Sequence, residues 1–242
     1  LNTLLITGTD TNAGKTVLMM ALTAYWQTYC GDRSLALMKP VQCGVGDREL
    51  YHRLFSLNQS MEEINPLYFE APLAPPLAAA REGRQIELEK VWQTLSTLIQ
   101  NRDFVLVEAL GGLGSPVTHE LTVADLARDW RLPTVLVVPV KLGAIGQAVA
   151  NVALARQARI QLQGIVLNCV QPASNQELAD WAPVELIQSL TQTPVLGEIP
   201  YLDNPIDLNE LSQVASNLDL ERIFSPLLLM RSLRHEIVTD RR

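Results

Sequence analysis

The sequence predicts an α/β fold: a mostly parallel central sheet with helices on both faces. Three observations carry this. Short apolar runs alternate with longer amphipathic stretches, the pattern of strands and their covering helices. Several of the short runs are apolar at every position, as strands buried on both faces should be. The first such run, Leu4-Leu5-Ile6, leads into Gly8-Thr9-Asp10-Thr11-Asn12-Ala13-Gly14-Lys15-Thr16, and a helical pattern opens at Lys15.

A strand that delivers a glycine-containing turn into a helix N-terminus makes a phosphate cradle. The unpaired N–H groups of the first helical turn point at the anion, and the helix dipole favours negative charge there. The fold class is therefore P-loop NTPase-like. In that arrangement Lys15 reaches the β- and γ-phosphates and the Thr16 hydroxyl ligates Mg²⁺. The spacing departs slightly from the common motif, with five residues between Gly8 and Gly14 instead of four, and Thr9 where the first glycine would stand.

The remaining elements follow from period. Strands are expected at 3–7, 35–39, 104–107, 134–140, 164–168 and 195–199, and helices at 15–29, 88–100, 122–130, 146–159, 175–189 and 209–224. No repeat, low-complexity tract or linker interrupts them, so residues 1–224 read as one domain, with 225–242 a C-terminal extension of unknown role. The proline-rich stretch 65–76 suits neither a regular helix nor a central strand and is expected to loop over the site.

Function in such a sheet collects at the C-terminal ends of the strands. Lys39, closing a buried strand, needs an anionic partner or a route to the surface. Asp47 follows shortly after it. Glu108 stands at the tip of another strand before Gly111-Gly112 and, with Thr16 and Asp47, supplies the hard oxygens Mg²⁺ prefers. Lys141-Leu142-Gly143-Ala144-Ile145-Gly146 reads either as a second anion-receiving helix N-terminus or as an ordinary turn. Asn168 suits adenine, which needs a donor and an acceptor together, or caps its own turn, and Pro200-Tyr201-Leu202 forms a rim beside it.

Composition removes other classes. With 48% apolar and 19% charged residues the chain is that of a soluble globular protein. A net charge of −7 argues against a nucleic-acid partner, and no apolar run approaches the ~18 residues of a membrane span. Cys30, Cys43 and Cys169 show neither disulfide nor zinc spacing. The nucleotide motif arrives within eight residues, leaving no room for a signal peptide, so the cytoplasm is the expected location. His52, His119 and His235 form no triad with a nucleophile.

Together these stretches resemble the dethiobiotin synthetase family. The resemblance rests on Thr7-Gly8-Thr9-Asp10-Thr11 with Gly14-Lys15-Thr16, on Lys39-Pro40-Val41 with Gly44, and on Val107-Glu108 with Gly111-Gly112. It continues through Val140-Lys141-Leu142-Gly143, Asn168 and Gly197-Glu198-Ile199-Pro200, in order from residue 3 to about 205. It implies a homodimer that converts 7,8-diaminopelargonate, CO₂ and ATP into dethiobiotin, ADP and phosphate with Mg²⁺. It further implies that Asn12, Ala13, Gly14, Lys15, Thr16 and Val17 hold the phosphates, and that Thr16, Asp47 and Glu108 hold the metal. Lys15 and Lys39 would be the catalytic lysines, and Asn168 with Pro200, Tyr201 and Leu202 would take adenine. Thr11, Lys39, Cys43, Leu110 and Gly111 would face the diamine, and Leu142, Gly143, Ala144, Ile145 and Gly146 its tail carboxylate across the dimer interface. Three positions depart from the family pattern: Asn12 for an acidic residue, Cys43 for a serine, and Ala109-Leu110 for Gly-Ala.

Two rivals are disfavoured. Chromosome-partitioning and septum-placing ATPases carry a second lysine four residues before Gly14, where this chain has Asp10. A glutaminase-fused amide ligase of cobalamin synthesis needs a Cys–His pair that is not evident here. The alternative retained is a catalytically divergent ATP-binding paralogue with a regulatory or interaction role.

Overall fold

A computed structural model of the chain describes residues 2–224. The expected extension, 225–242, lies outside the described residues. Six strands form one parallel sheet: β1 (Thr3–Gly8), β2 (Leu35–Met38), β5 (Phe104–Gly112), β6 (Thr134–Pro139), β7 (Leu162–Asn168) and β8 (Val195–Ile199), in the order β2-β5-β1-β6-β7-β8. Every residue of β1, β2 and β6 is buried, which accounts for their unbroken apolar character. Two further strands, β3 (Val41–Cys43) and β4 (Leu67–Phe69), make a small parallel sheet beside the main one.

The helices are α1 (Lys15–Tyr29), α2 (Asp47–Leu54), α3 (Met61–Ile64), α4 (Pro75–Arg81), α5 (Leu88–Asn101), α6 (Val123–Asp129), α7 (Ala144–Gln157), α8 (Asn175–Trp181), α9 (Val184–Thr191), α10 (Leu208–Ser216) and α11 (Leu220–Phe224). On one face of the sheet, Leu4, Ile6, Leu106 and Val137 pack with α1, α10 and α11. Leu5, Val105 and Val107 point the other way, against α5 and α6, and Leu136, Val138 and Ile165 continue that face beneath α7 and α9. This is the strand alternation with both faces covered.

Several boundaries differ from expectation, each for a local reason. Strand β2 ends at Met38, so Lys39 lies just beyond it. Strand β5 continues to Gly112, pairing Gly112 with Gly8 after a register shift; Glu108 is therefore inside a strand, not at its tip. The expected helix 175–189 is two helices, because Pro183 cannot donate in a continuous helix and disfavours helical geometry at Ala182. The expected helix 209–224 is also two; the Asp219 N–H leaves the helix to bond the Leu196 carbonyl at 2.7 Å. Helix α7 opens at Ala144, with Gly143 as a left-handed N-cap at φ 92°, so Gly146 sits inside the first turn. Within 65–76 the chain forms β4, and then Pro75 and Pro76 open α4, where a missing N–H costs nothing.

Order in sequence decides where the crevice falls. The chain moves from β1 outward to β2, returns through β5, and then crosses to β6 on the other side of β1. The C-terminal end of β1, where the direction reverses, is the switch point at which such sheets bind ligands.

The aromatic cluster under α1 anchors this arrangement. Phe104 is 1% exposed, with its ring centroid 5.6 Å from Trp26 and 5.3 Å from Phe224. Phe104→Ala is expected to cost about 3–5 kcal/mol of stability. Urea unfolding checks this, by a lowered midpoint with an unchanged slope.

Candidate active site

The loop after β1 is shaped by close backbone packing. Gly14 adopts φ 95°, and a Cβ there would lie 1.8 Å from the Asn168 amide nitrogen, so only glycine serves. That same Asn168 amide donates to the Ala13 carbonyl at 3.0 Å, tying the end of β7 to the loop. Gly112 lets β5 approach equally closely, since a Cβ on it would meet the Gly8 carbonyl oxygen at 2.8 Å.

Lys15 opens α1 and folds back over the loop, donating to the carbonyls of Asp10 at 2.9 Å and Thr11 at 3.0 Å. Burial pulls its pKa down, more than the pull of Glu108, Asp47 and Asp10 restores it. Thr16 Oγ1 lies 3.0 Å from Asp47 Oδ1 and 3.1 Å from Glu108 Oε1, with one proton to share between them. Lys39 Nζ sits 2.5 Å from Asp47 Oδ2 and 2.8 Å from Glu108 Oε1. Burial also acts to lower the Lys39 pKa, yet the charges and hydrogen bonds of Glu108 and Asp47 outweigh it, and the net shift is upward. Lys39 does not snorkel to the surface. Its backbone is fixed as well, donating to Ile64 at 2.7 Å and accepting from the Asn65 amide at 2.6 Å.

Asp47 is brought in by α2, which begins with it. The preceding loop is fastened by Gln42, whose amide donates to the Gly44 carbonyl at 3.1 Å and to Glu49 at 2.9 Å. One turn along α2, Tyr51 donates its hydroxyl to Glu108 Oε2. Its pKa is pushed well up, by burial first and then by the charges of Glu108 and Asp47.

Two cavities meet over the loop and share Thr11, Asn12, Lys15 and Thr16. One, of about 440 Å³, extends past Gly14 and Val17 to Asn168, Pro200, Tyr201 and Leu202. The other, of about 750 Å³, holds Lys39, Cys43, Asp47, Glu108, Leu110 and Gly111, with Pro72 to Pro75 along its wall. The second is thus bounded by the proline-rich stretch. Ala13 is fully buried and reaches the first cavity only through its carbonyl's tie to Asn168. The Cys43 thiol is pushed up to about 11, by burial and then by Glu82, so it is neutral and weakly donating.

Leu142, Gly143, Ala144, Ile145 and Gly146 line neither cavity. Their turn is nonetheless tied to the phosphate loop, by Lys141 to Asp10 at 3.1 Å and by Thr9 to Gln147 at 3.3 Å. Leu142 is 84% exposed, pointing away from the chain. Sequence reasoning missed Tyr51, the Gln42 brace, the Asp10–Lys141 pair and Ser115, whose hydroxyl accepts from the Gly112 N–H at 2.9 Å beside the larger cavity. The spacing of Asp47 and Tyr51, four residues apart, would have exposed the phenol had α2 been recognised as a helix.

The donor set suits a hard cation. One hydroxyl and two carboxylates converge, and among the described residues no trio of His, Cys, Asp or Glu gathers to hold a metal alone. That matches Mg²⁺, which binds through one or two carboxylates together with water and substrate phosphates.

A family model described as an AAA domain matches residues 2–207. The chain is 64% identical over 91% of its length to the ATP-dependent dethiobiotin synthetase BioD of Gloeothece citriformis, covering 97% of that protein. It is 57% identical to the enzyme of the same name in Crocosphaera subtropica, over 93% of this chain and 100% of that one. The chain belongs to the ATP-dependent dethiobiotin synthetase family. Among solved structures, a ParA family ATPase from Chlorobium tepidum shares the fold with TM-score 0.55 at 13% identity, covering 96% of this chain and 97% of that one. The MinC:MinD complex of Aquifex aeolicus matches with TM-score 0.52 at 16% identity, over 88% and 86% of the two chains. The likeness to these two chains is one of fold.

The buried state of Lys15 yields a pH dependence. Without phosphates its pKa lies below 10.5, and an anion beside it raises that pKa. With ATP phosphates seated against Lys15, binding between the two values would take up a proton, and affinity would fall as pH rises through that window. Calorimetric titration of ATP against pH should show the decline beginning below pH 10.5; a flat profile up to that pH would contradict it.

Proposed function

We propose that the chain closes the ureido ring of dethiobiotin, joining 7,8-diaminopelargonate and CO₂ at the expense of ATP, with the nucleotide in the smaller cavity and the diamine in the larger. The observation that carries this reading is that Lys39, Asp47 and Glu108 line the larger cavity directly beside Lys15 and Thr16, which both cavities share. A phosphoryl group passing from nucleotide to second substrate must cross that junction.

In this reading one substrate amine takes up CO₂ as a carbamate, losing a proton. The carbamate oxygen attacks the γ-phosphorus, and ADP leaves. The second amine then attacks the carbonyl of the mixed anhydride, expelling phosphate, losing a proton to solvent and closing the ring. No protein nucleophile takes part, so catalysis is positioning and charge stabilisation. Lys15 neutralises the β- and γ-phosphates. Lys39 turns toward the carbamate and the transferring oxygens. Asn168 and the rim at Pro200-Tyr201-Leu202 hold the adenine, and Thr11, Cys43, Leu110 and Gly111 border the diamine. Bound Mg²⁺, held by Thr16, Asp47 and Glu108, would offset the charge of the phosphates.

The assignment extends to the assembly. The turn 141–146 receives the tail carboxylate of a diamine bound to the neighbouring subunit of a homodimer. Its support is that this turn opens outward, with Leu142 exposed, while tied to the phosphate loop behind it. Residues 1–224 act as one ligase domain, supported by a sheet whose strands span Thr3 to Ile199. The setting is cytoplasmic, supported by three free cysteines; among the described residues no helix is long and apolar enough to cross a membrane.

ADP release with Mg²⁺ and bicarbonate should depend on the diamine, with one dethiobiotin formed per ADP by mass spectrometry. ATP binding without diamine-dependent turnover would favour the regulatory paralogue instead. Lys39→Ala should lower turnover by at least a hundred- to a thousand-fold, roughly the loss of one transition-state charge contact, while ATP still binds. Unchanged turnover would remove Lys39 from the chemistry. Sedimentation should find a dimer, and a fully active monomer would overturn the shared site.

A further inference from the structure

Tyr51 is fully buried at the site, and the chemistry above gives it no task. It lies one turn after Asp47 on α2, so both side chains leave the same face of the helix. Its hydroxyl donates to Oε2 of Glu108, while Oε1 of the same carboxylate meets Thr16 at 3.1 Å and Lys39 at 2.8 Å. The two oxygens of Glu108 are therefore divided between two sets of partners. The terminal torsion of a glutamate is broad, so the side chain itself does not decide which way its carboxylate plane faces. At 1% exposure no bulk water decides it either.

We infer that Tyr51 is a positioning residue: its hydroxyl holds Oε2 of Glu108 so that Oε1 faces Thr16 and the cation of a bound nucleotide. The inference rests on the reading that Glu108 and Thr16 hold Mg²⁺. Helix α2 then has two tasks, bringing Asp47 to the junction and orienting the carboxylate that faces it from β5. Removing the hydroxyl leaves Oε2 buried without a donor, and the carboxylate rotates toward whatever donors remain. Lys39 Nζ, already 2.8 Å from Oε1, is one of them, and a carboxylate turned to offer it both oxygens would present neither squarely to the cation. Partners that orient a metal ligand in this way are typically worth 10- to 100-fold in metal affinity.

Tyr51→Phe keeps the ring that packs in the core and removes only the hydroxyl. The experiment titrates ATP into the full chain by calorimetry at a series of Mg²⁺ concentrations, for wild type, Y51F, E108Q and the double variant, with circular dichroism as the check on fold. Y51F should raise the Mg²⁺ concentration needed for half-maximal strengthening of ATP binding by about 10- to 100-fold. The double variant should be no worse than E108Q alone, because Tyr51 acts through Glu108. In turnover the diamine KM should stay unchanged. Should Y51F not accumulate as folded protein, a crystal structure of wild type with Mg²⁺ and ATP reads the same contact: Tyr51 on Oε2 with Oε1 toward the cation supports the inference, and a phenol turned away from Glu108 overturns it. A folded Y51F that titrates like wild type beside a strongly impaired E108Q overturns the inference alone, and so do effects that multiply in the double variant. If Mg²⁺ does not strengthen ATP binding in wild type, or E108Q leaves that strengthening intact, the metal reading fails and the inference falls with it.

Discussion

An ammonium group at the end of a buried strand must meet carboxylates, and this demand on Lys39 organises the molecule. At 5% exposure, Lys39 has lost its water. The idealised cost of such a transfer is of order 20 kcal/mol per ion and still several after relaxation, which only close, hydrogen-bonded countercharges offset. Two carboxylates meet it, Asp47 at 2.5 Å and Glu108 at 2.8 Å. For this to happen β2 must lie beside β5, and the chain after β3 must turn back as α2 with Asp47 at its start. The pairing of β2 with β5 and the Gln42 brace on the loop before α2 are the features that bring the three charges together.

The two lysines are left in opposite electrostatic states. Lys39 has its countercharges, and its pKa is raised; Lys15 has only carbonyl oxygens in direct contact, and its pKa is lowered. In the proposed reading Lys15 is the charge that arriving phosphates relieve, and Lys39 is released toward substrate when its carboxylates turn to another cation. In that reading the rearrangement of Lys39 accompanies binding, and little is left to reorganise during phosphoryl transfer. The absence of any need for a protein nucleophile agrees with Cys43, whose thiol stays neutral.

What was legible in the sequence was local and periodic. Buried parallel strands are continuous apolar runs, and the glycine–lysine–threonine turn reads directly as a phosphate loop, so the fold class and the first cavity could be read before the structure. Lys39, Asp47 and Glu108 could be suspected one by one, because each is a charge near an apolar run. Less legible was what depends on tertiary contact. The extension of β5 beyond Glu108 comes from pairing Gly112 with Gly8, and the break before α11 comes from the Asp219 bond to Leu196. Helix α2 is short and mostly polar, carrying one buried residue, Tyr51, and so shows no periodic stripe. The break at Pro183 was legible and was overlooked. The role of the turn 141–146 and the neighbouring subunit both come from resemblance; within one chain the turn lines neither cavity.

The central claim is that the cluster around Lys39 is where the phosphoryl group is transferred. The most direct measurement is a crystal structure of the chain with Mg²⁺, a non-hydrolysable ATP analogue and 7,8-diaminopelargonate. The account predicts a γ-phosphate between Lys15 and Lys39, a cation at about 2.1 Å from Thr16 Oγ1, and Lys39 turned from Asp47 toward the γ-phosphate oxygens. A nucleotide bound away from this junction, or Lys39 still sealed against Asp47 and Glu108 with both ligands in place, would contradict it.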